Sequence, residues 1–491
     1  MKHLAAPVPA AAFALALLAL VAPTVSYAQI ASHPFADRSL GAVSPAVAGT
    51  FGARPDAWSL WAPRGITVDP ASGKVFVVEF HRVLRFPAAA SLANRALAEG
   101  VLGQRNFSEV PFATTQQGMD EPTGNYIDRN GRLWVADTAN NRVLMFHSAA
   151  NRGNGDAADL VLGQSLYTSS GADTTANRMN RPRGVFVDDD DHVWVADTGN
   201  HRVLRFPPAS TLTNGAPASL VLGQSSFTTA ISGANSFRFN GPRAVFVDAA
   251  RRVWVADTVN HRVLRFDDAP VLVNGQPAIR VLGQSAFGFS DAGGGATGMN
   301  TPMDLKMDAR GTLWVADFDN NRVLGFENAA AKGNGASADR VIGQPDFAST
   351  GDGSGPRALN GPLGLAFDPQ GCLWVSDFEN LRVLRYSPDR AGPRVQLTTR
   401  VPRRTSAPRL RLAGTATDPS GVEAVQLRVG RAPFARALGT TSWGAVARLR
   451  PGRNPILIFG EDIFGNRSAV LRRQVVRLRN GARSRARPRG R

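Results

Sequence analysis

Pro182-Arg-Gly-Val-Phe-Val-Asp-Asp-Asp-Asp-His-Val-Trp-Val-Ala-Asp-Thr-Gly-Asn-His-Arg-Val-Leu-Arg-Phe206 is the stretch on which the fold turns. It holds three short apolar runs separated by Asp, Asn and Gly, which favour tight turns through side-chain bonds to nearby backbone groups. The middle run, residues 193–196, is apolar without alternation, as a strand buried on both faces requires. Leu220-Val-Leu-Gly-Gln224 adds a fourth run. The unit then recurs every 60 residues: its arginine at Arg82, Arg142, Arg202, Arg262, Arg322 and Arg382, its tryptophan at Trp134, Trp194, Trp254, Trp314 and Trp374, its glutamine at Gln104, Gln164, Gln224, Gln284 and Gln344. A fixed period of this size marks a supersecondary unit that buries its apolar surface only by stacking on its neighbours.

Six consecutive four-stranded meanders predict an all-β, six-bladed β-propeller over residues 58–390. Copies one to five end in the Gly-Gln strand, whereas copy six stops at Arg382-Val-Leu-Arg-Tyr386, so one outer strand is missing. Ser39-Leu-Gly-Ala42 carries the matching Leu-Gly pair. A segment near 36–43, within an N-terminal lead spanning 29–57, is therefore expected to pair into the last blade and remove its open edge. Arg394-Val-Gln-Leu397 is the alternative.

The unit resembles the NHL repeat, through Pro182-Arg-Gly-Val-Phe-Val-Asp188 and Val193-Trp-Val-Ala-Asp-Thr-Gly-Asn-His-Arg-Val203. Asp-x-x-Asn-x-Arg recurs in copies two to six as Asp137/Asn140/Arg142, Asp197/Asn200/Arg202, Asp257/Asn260/Arg262, Asp317/Asn320/Arg322 and Asp377/Asn380/Arg382. Copy one departs from it: Val77-Val-Glu-Phe-His-Arg82 has Glu for Asp and a shortened turn. An active site is normally one constellation, whereas these groups recur around a ring. They are expected to be scaffold, Asp and Asn bonding the backbone of their own turn and the arginine pairing with the repeated Asp or with turn carbonyls.

The first residues point to export. Lys2 and His3 precede an apolar run ending near Ala22, and Ser26-Tyr-Ala28 offers small residues for cleavage, so residues 1–28 read as a signal peptide. An uncleaved anchor is the alternative, though the run is short for a span. No transmembrane segment is expected after signal removal, and the expected location is extracellular, cell-surface or periplasmic. The single cysteine, Cys372, permits no internal disulfide and reads as a buried small apolar residue.

Charge divides the chain. From Ala391 onward there are 22 arginines, no lysines and four acids, a net of +18, whereas the rest of the chain nets −1 within the formal total of +17. The segment 391–479 has its own strand pattern. Gly414-Thr-Ala-Thr-Asp-Pro-Ser-Gly-Val422 and Glu461-Asp-Ile-Phe-Gly-Asn466 resemble the turns of bacterial immunoglobulin-like domains, which implies an Ig-like β-sandwich. Alternation would set several arginines on one outer face. Residues 480–491 read as a disordered Arg-rich tail. A basic module on an exported protein suggests an anionic glycan, lipopolysaccharide or extracellular nucleic acid as partner. Four lysines against 52 arginines also allow a codon-composition origin for part of this pattern.

Catalysis finds little support in the sequence. The resemblance includes amidating lyases, and six-bladed propellers serve as calcium-dependent lactonases. A hydrolase or lyase with a channel metal is therefore the alternative to a non-catalytic binding scaffold. Such sites need converging ligands. His81, His201 and His261 fill equivalent slots on different blades and should diverge; no cofactor and no metal are expected. Asp188-Asp-Asp-Asp191 lacks the Gly and terminal Glu of an EF-hand and reads as a solvated hairpin. The interval from the strand-four Gly to the next repeat Pro is always 19 residues, so no blade carries a private lid. The connections after strand four and the hairpins between strands two and three should share one face. There, Phe318, Asp319, Phe378 and Glu379 break the pattern and form the candidate ligand-binding spot.

Overall fold

The computed structural model describes residues 30–32, 34–49, 55–418, 421–462 and 466–479. The signal-peptide and tail readings fall outside them. Six four-stranded antiparallel sheets follow one another along the chain. In blade three the strands are Pro182–Val187, His192–Asp197, Arg202–Pro208 and Leu220–Leu222. The innermost strands of the other blades are Pro63–Val68, Pro122–Ile127, Ala244–Val247, Pro302–Met307 and Pro362–Phe367. Each packs against its successor, and the sixth packs against the first. The ring is closed, and the architecture is a β-propeller.

Hydrophobic cores lie between blades, which is why a single copy could not stand alone. Trp194 of blade three shares a core with Val245, Val255 and Leu264 of blade four. Trp374 of blade six does the same with Ile66, Val75 and Leu84 of blade one. Arg38–Leu40 supplies the missing outer strand, in the register Arg38↔Arg385, Ser39↔Leu384, Leu40↔Val383. Arg394–Leu397 instead pairs with Arg409–Thr417 in the second domain.

The Asp that follows each innermost strand has a role that a solvated hairpin does not describe. Asp188 is 9% exposed; its Oδ1 accepts the Asp190 and His192 amides, and its Oδ2 accepts Trp194 Nε1 at 2.7 Å. Asp191 pairs across the blade boundary with Arg132. The four-Asp run is thus half structural, because the blade tryptophan needs an acceptor for its indole N–H. The Gly of each Gly-Gln strand is fixed by backbone geometry: Gly163 has φ +84, and a Cβ there would sit 2.9 Å from the Asn141 carbonyl oxygen. Gln164 Nε2 donates to that same oxygen at 3.1 Å and to Gly171 O at 2.9 Å.

Residues 394–477 form a two-sheet β-sandwich. One sheet joins Arg394–Leu397, Arg409–Thr417 and Ser442–Arg448; the other joins Arg404–Thr405, Leu471–Arg477, Gly452–Asp462, Val422–Val429 and Ala435–Arg436. Leu412, Val425, Trp443, Ile456, Ile458 and Val475 fill the space between. Arg409, Arg411 and Arg448 point outward, with Arg409 directly opposite Arg448 across the ladder. Like charges in that position repel. Among the described residues no helix is long and apolar enough to cross a membrane.

Candidate functional site

The repeated polar residues form one buried network per blade. Asp197 Oδ2 accepts Arg202 Nε at 2.7 Å and Asn200 Nδ2 at 2.8 Å, while its Oδ1 accepts the Asn180 amide at 2.7 Å. The guanidinium also donates to the carbonyls of Phe227, Thr175 and Arg178, tying three connections together. Burial pushes the Asp197 carboxyl above the usual range against the pull of Arg202 and its donors. Asp137–Arg142, Asp257–Arg262, Asp317–Arg322 and Asp377–Arg382 repeat the pair at 2.7 Å. Burial pushes Asp137, Asp257 and Asp317 up to about 6. In blade one Glu79 takes the place of Asp and accepts Arg82 Nε at 2.6 Å.

The repeat asparagines correct the expectation that they bond the backbone of their own turn. Asn140 Nδ2 donates to Asp137 Oδ2 at 2.9 Å, Asn260 to Asp257 at 2.7 Å, Asn320 to Asp317 at 2.8 Å and Asn380 to Asp377 at 2.8 Å. The second N–H of each reaches a carbonyl 27 residues earlier: Ala113 for Asn140, Gly233 for Asn260, Gly293 for Asn320 and Gly353 for Asn380. The reason is burial: one acid buried beside one arginine still has a lone pair to fill, and the amide fills it while holding the incoming connection. None of these groups reaches the channel cavity.

The slot before the repeat arginine is a staple between blades. His201 Nδ1 accepts the Gly241 N–H at 3.0 Å, His261 Nδ1 the Thr301 N–H at 3.0 Å and His81 Nδ1 the Glu121 N–H at 3.0 Å. In other blades Asn141 Oδ1 and Asn321 Oδ1 accept the equivalent amides at 2.7 and 2.9 Å. His and Asn interchange because the position needs an acceptor. Burial lowers the pKa of all three histidines; for His81 it outweighs the opposite pull of Asp120.

A cup of about 390 Å³ opens at the mouth of the central channel. The innermost strands build its wall. They approach so closely that a Cβ on Gly184 would lie 2.4 Å from the Arg243 carbonyl oxygen, and one on Gly124 2.2 Å from that of Arg183. The residue after each repeat proline lines the cup: Arg64, Thr123, Arg183, Arg243, Met303 and Leu363 in blade order. Four consecutive blades therefore give a polar wall containing three arginines, and the last two give an apolar one. Phe318 and Phe378 extend the apolar wall, with ring centroids 6.3 Å apart. Further along the same strands, Tyr126, Phe186 and Phe246 pack ring to ring at 4.6 and 4.9 Å and narrow the channel.

The charges of the cup do not balance pairwise. Glu121 pairs with Arg181 at 3.5 Å and Asp304 with Lys306 at 2.9 Å. Among the described residues, Arg64, Arg183 and Arg243 have no carboxylate within ion-pair distance. Arg64 donates to Pro122 O at 3.2 Å, and Arg243 leans on Met303 Sδ at 2.9 Å. Burial first, then repulsion from Arg243, Arg181 and Arg64, pushes the Arg183 guanidinium down to about 10. Arg64 and Arg243 shift the same way for the same leading reason.

Of the four residues singled out from the sequence, Phe318 and Phe378 line this cup. Asp319 and Glu379 do not: Asp319 accepts the Thr301 hydroxyl, and Glu379 packs beside Phe318 against Gly361. The cup arginines are absent from that set, although the sequence carries a signal for them. At a position where the repeat is otherwise regular, Arg, Thr, Arg, Arg, Met and Leu alternate in kind. Away from the channel, Asp389, Asp418 and Asp462 bring carboxylate oxygens within 4.8 Å of one another, a grouping that could hold a cation. It lies where Asn466 Nδ2 reaches the Asp389 carbonyl at 3.1 Å, at the junction of the two domains.

Fold and cavity define the chain as a β-propeller with a one-sided, arginine-walled cup and an appended β-sandwich. Residues 179–206 match the NHL repeat. No curated protein matches the chain. Among solved structures it is similar to a virginiamycin B lyase from Staphylococcus aureus (12% identity, TM-score 0.40, 68% of this chain and 97% of that one). It is also similar to a gluconolactonase from Xanthomonas campestris (14%, TM-score 0.42, 72% and 98%) and to a protein of unknown function from Bacteroides thetaiotaomicron (13%, TM-score 0.45, 73% and 76%).

Proposed function

We propose that the protein is an exported, non-catalytic binding propeller that takes its ligand in the channel-mouth cup. The Ig-like sandwich is a basic module for polyanions of the cell envelope or extracellular space. One observation carries the first part: the Asp–Asn–Arg scaffold repeats in blades two to six, with Glu79–Arg82 in its place in blade one, whereas the cup residues do not repeat. A wall that breaks the repeat in charge and polarity where it faces a cavity is shaped for a ligand rather than for stacking. Both carboxylates of that wall are held by cations, and the slot histidines are each taken up by a neighbouring amide, which favours binding over acid–base work. The experiment is thermal melting of residues 29–491 against a panel of neutral, cationic and anionic small molecules, with Leu363→Trp to fill the cup. Shifts confined to the wild-type protein support the reading. Shifts that persist in Leu363→Trp, or none at all, overturn it.

A further inference from the structure

We infer that the cup receives a small amphipathic anion, its carboxylate, phosphate or sulfate head held by Arg64, Arg183 and Arg243 and its flat apolar body laid against Phe318 and Phe378. This rests on the cup being a binding site and names the class of its ligand. Three features of the wall converge on it.

The three arginines come from blades one, three and four, and no carboxylate pairs with any of them among the described residues. Within the same residues, the Arg183 side chain donates no hydrogen bond to the protein. Its planar fork of donors is the group that best matches an oxyanion in two-point contact. Holding like charges together at a partly desolvated site costs stability, and an anion placed among them removes that cost.

The opposite arc carries the apolar surface of the cup, its only charges being the Asp304–Lys306 pair among the described residues. Met303 and Leu363 follow the arginines around the ring, and the tilted Phe318 and Phe378 rings, at 49° to each other, stand beside them. A free inorganic anion would leave these surfaces wet. A cup of about 390 Å³ lies in the range of sites that enclose small organic molecules, roughly 300–1,000 Å³. The aromatic constriction at Tyr126, Phe186 and Phe246 limits how deep the ligand goes. Asn125 also lines the cup, and its Oδ1, buried against Gly65 of the neighbouring strand, has no hydrogen-bond partner.

Isothermal titration of residues 29–491 with phenyl phosphate, inorganic phosphate and benzyl alcohol at fixed ionic strength tests the inference. Phenyl phosphate is expected to bind at one site, at least about tenfold tighter than inorganic phosphate or benzyl alcohol. Arg183→Gln should weaken it by about tenfold or more and, without ligand, should melt at a higher temperature than the wild type because repulsion is relieved. Arg243→Gln serves the same purpose should Arg183→Gln not fold. Equal binding of phenyl phosphate by the variants would place it on the exposed arginines of the sandwich and overturn the inference. So would equal affinity for inorganic phosphate or for benzyl alcohol. If neutral or cationic compounds bind in a manner blocked by Leu363→Trp while phenyl phosphate does not, the ligand class falls and the cup reading stands. If nothing binds in that manner, both fall.

Discussion

Arg202 Nε donates to Asp197 Oδ2 at 2.7 Å, and neither side chain is exposed to solvent. The pair is the centre of a blade rather than an ornament of it. The same guanidinium reaches three carbonyls in the connections on either side, so the pair holds the loops of the rim in register with the strands. A buried ion pair adds little net stability by itself, but it makes each partner indispensable to the other.

Asp197→Ala should therefore cost about 3–5 kcal/mol, because Arg202 remains buried with its charge uncompensated. The double variant Asp197→Leu, Arg202→Met should recover a large part of the loss. Urea denaturation of the single and double variants measures both. A single variant within about 1 kcal/mol of the wild type would mean that water or a neighbouring group already satisfies Arg202.

The histidine slots should contribute a loss of stability as the solution is acidified through the histidine range, opposite in sign to Asp137, Asp257 and Asp317, whose raised pKa values favour the folded state on acidification. Burial holds the folded-state pKa of His201 and His261 below the ordinary value of 6.5, so the unfolded chain takes up protons more readily than the folded one. The contribution of these residues is complete above pH 6.5 and is lost as the pH falls below it toward their folded values. Replacing both with Asn, the residue that blades two and five use, should flatten this part of the profile. Melting temperatures of wild type and of the His201→Asn, His261→Asn double variant, taken from about pH 5 to 8, provide the check; identical slopes would contradict it.

The outward arginines of the sandwich should set retention on heparin. Arg409 and Arg448 face each other across the ladder, so converting both to Gln removes a matched pair of positive charges without touching the core. The variant should elute from heparin–agarose at lower salt, and the slope of log affinity against log salt should fall by about 1 for each phosphate or sulfate group that an arginine no longer neutralises. Unchanged elution would separate this face from polyanion binding.

The propeller is legible in the sequence because its information is repeated. Each copy states the same strand pattern, turn residues and polar partners, so chance matches cancel and the missing outer strand of copy six shows up against Ser39-Leu-Gly-Ala42. The cup is harder to read because function here is what the repeat leaves out. Arg64, Arg183 and Arg243 look like ordinary surface arginines in a chain with so many. Only the curvature of the ring brings residues 60, 119 and 179 positions apart to one cup. Phe318 and Phe378 stand out as departures from Thr in the same hairpin, and they lie in the cup wall. Their acidic neighbours, equally unusual in sequence, do not line it. Asp188 misleads for the opposite reason: surrounded by three other aspartates, it reads as solvent-seeking, yet it is the acceptor that its own blade tryptophan requires. Asn140, Asn260, Asn320 and Asn380 look local for a similar reason, since the carbonyl each one holds is distant along the chain and only folding brings it near.

Asp37 and Arg385, 348 residues apart, are joined by two hydrogen bonds of 3.0 Å beside the strand that completes the sixth blade. The chain therefore cannot finish its ring until almost all of the propeller has been made, and the earliest strand must wait unpaired for the latest. Under the export proposed above, ring closure comes last, after neighbouring blades have packed on one another. It also makes the clasp a proofreading step, since a chain cut short anywhere before residue 386 leaves an unsatisfied strand edge for proteases to find.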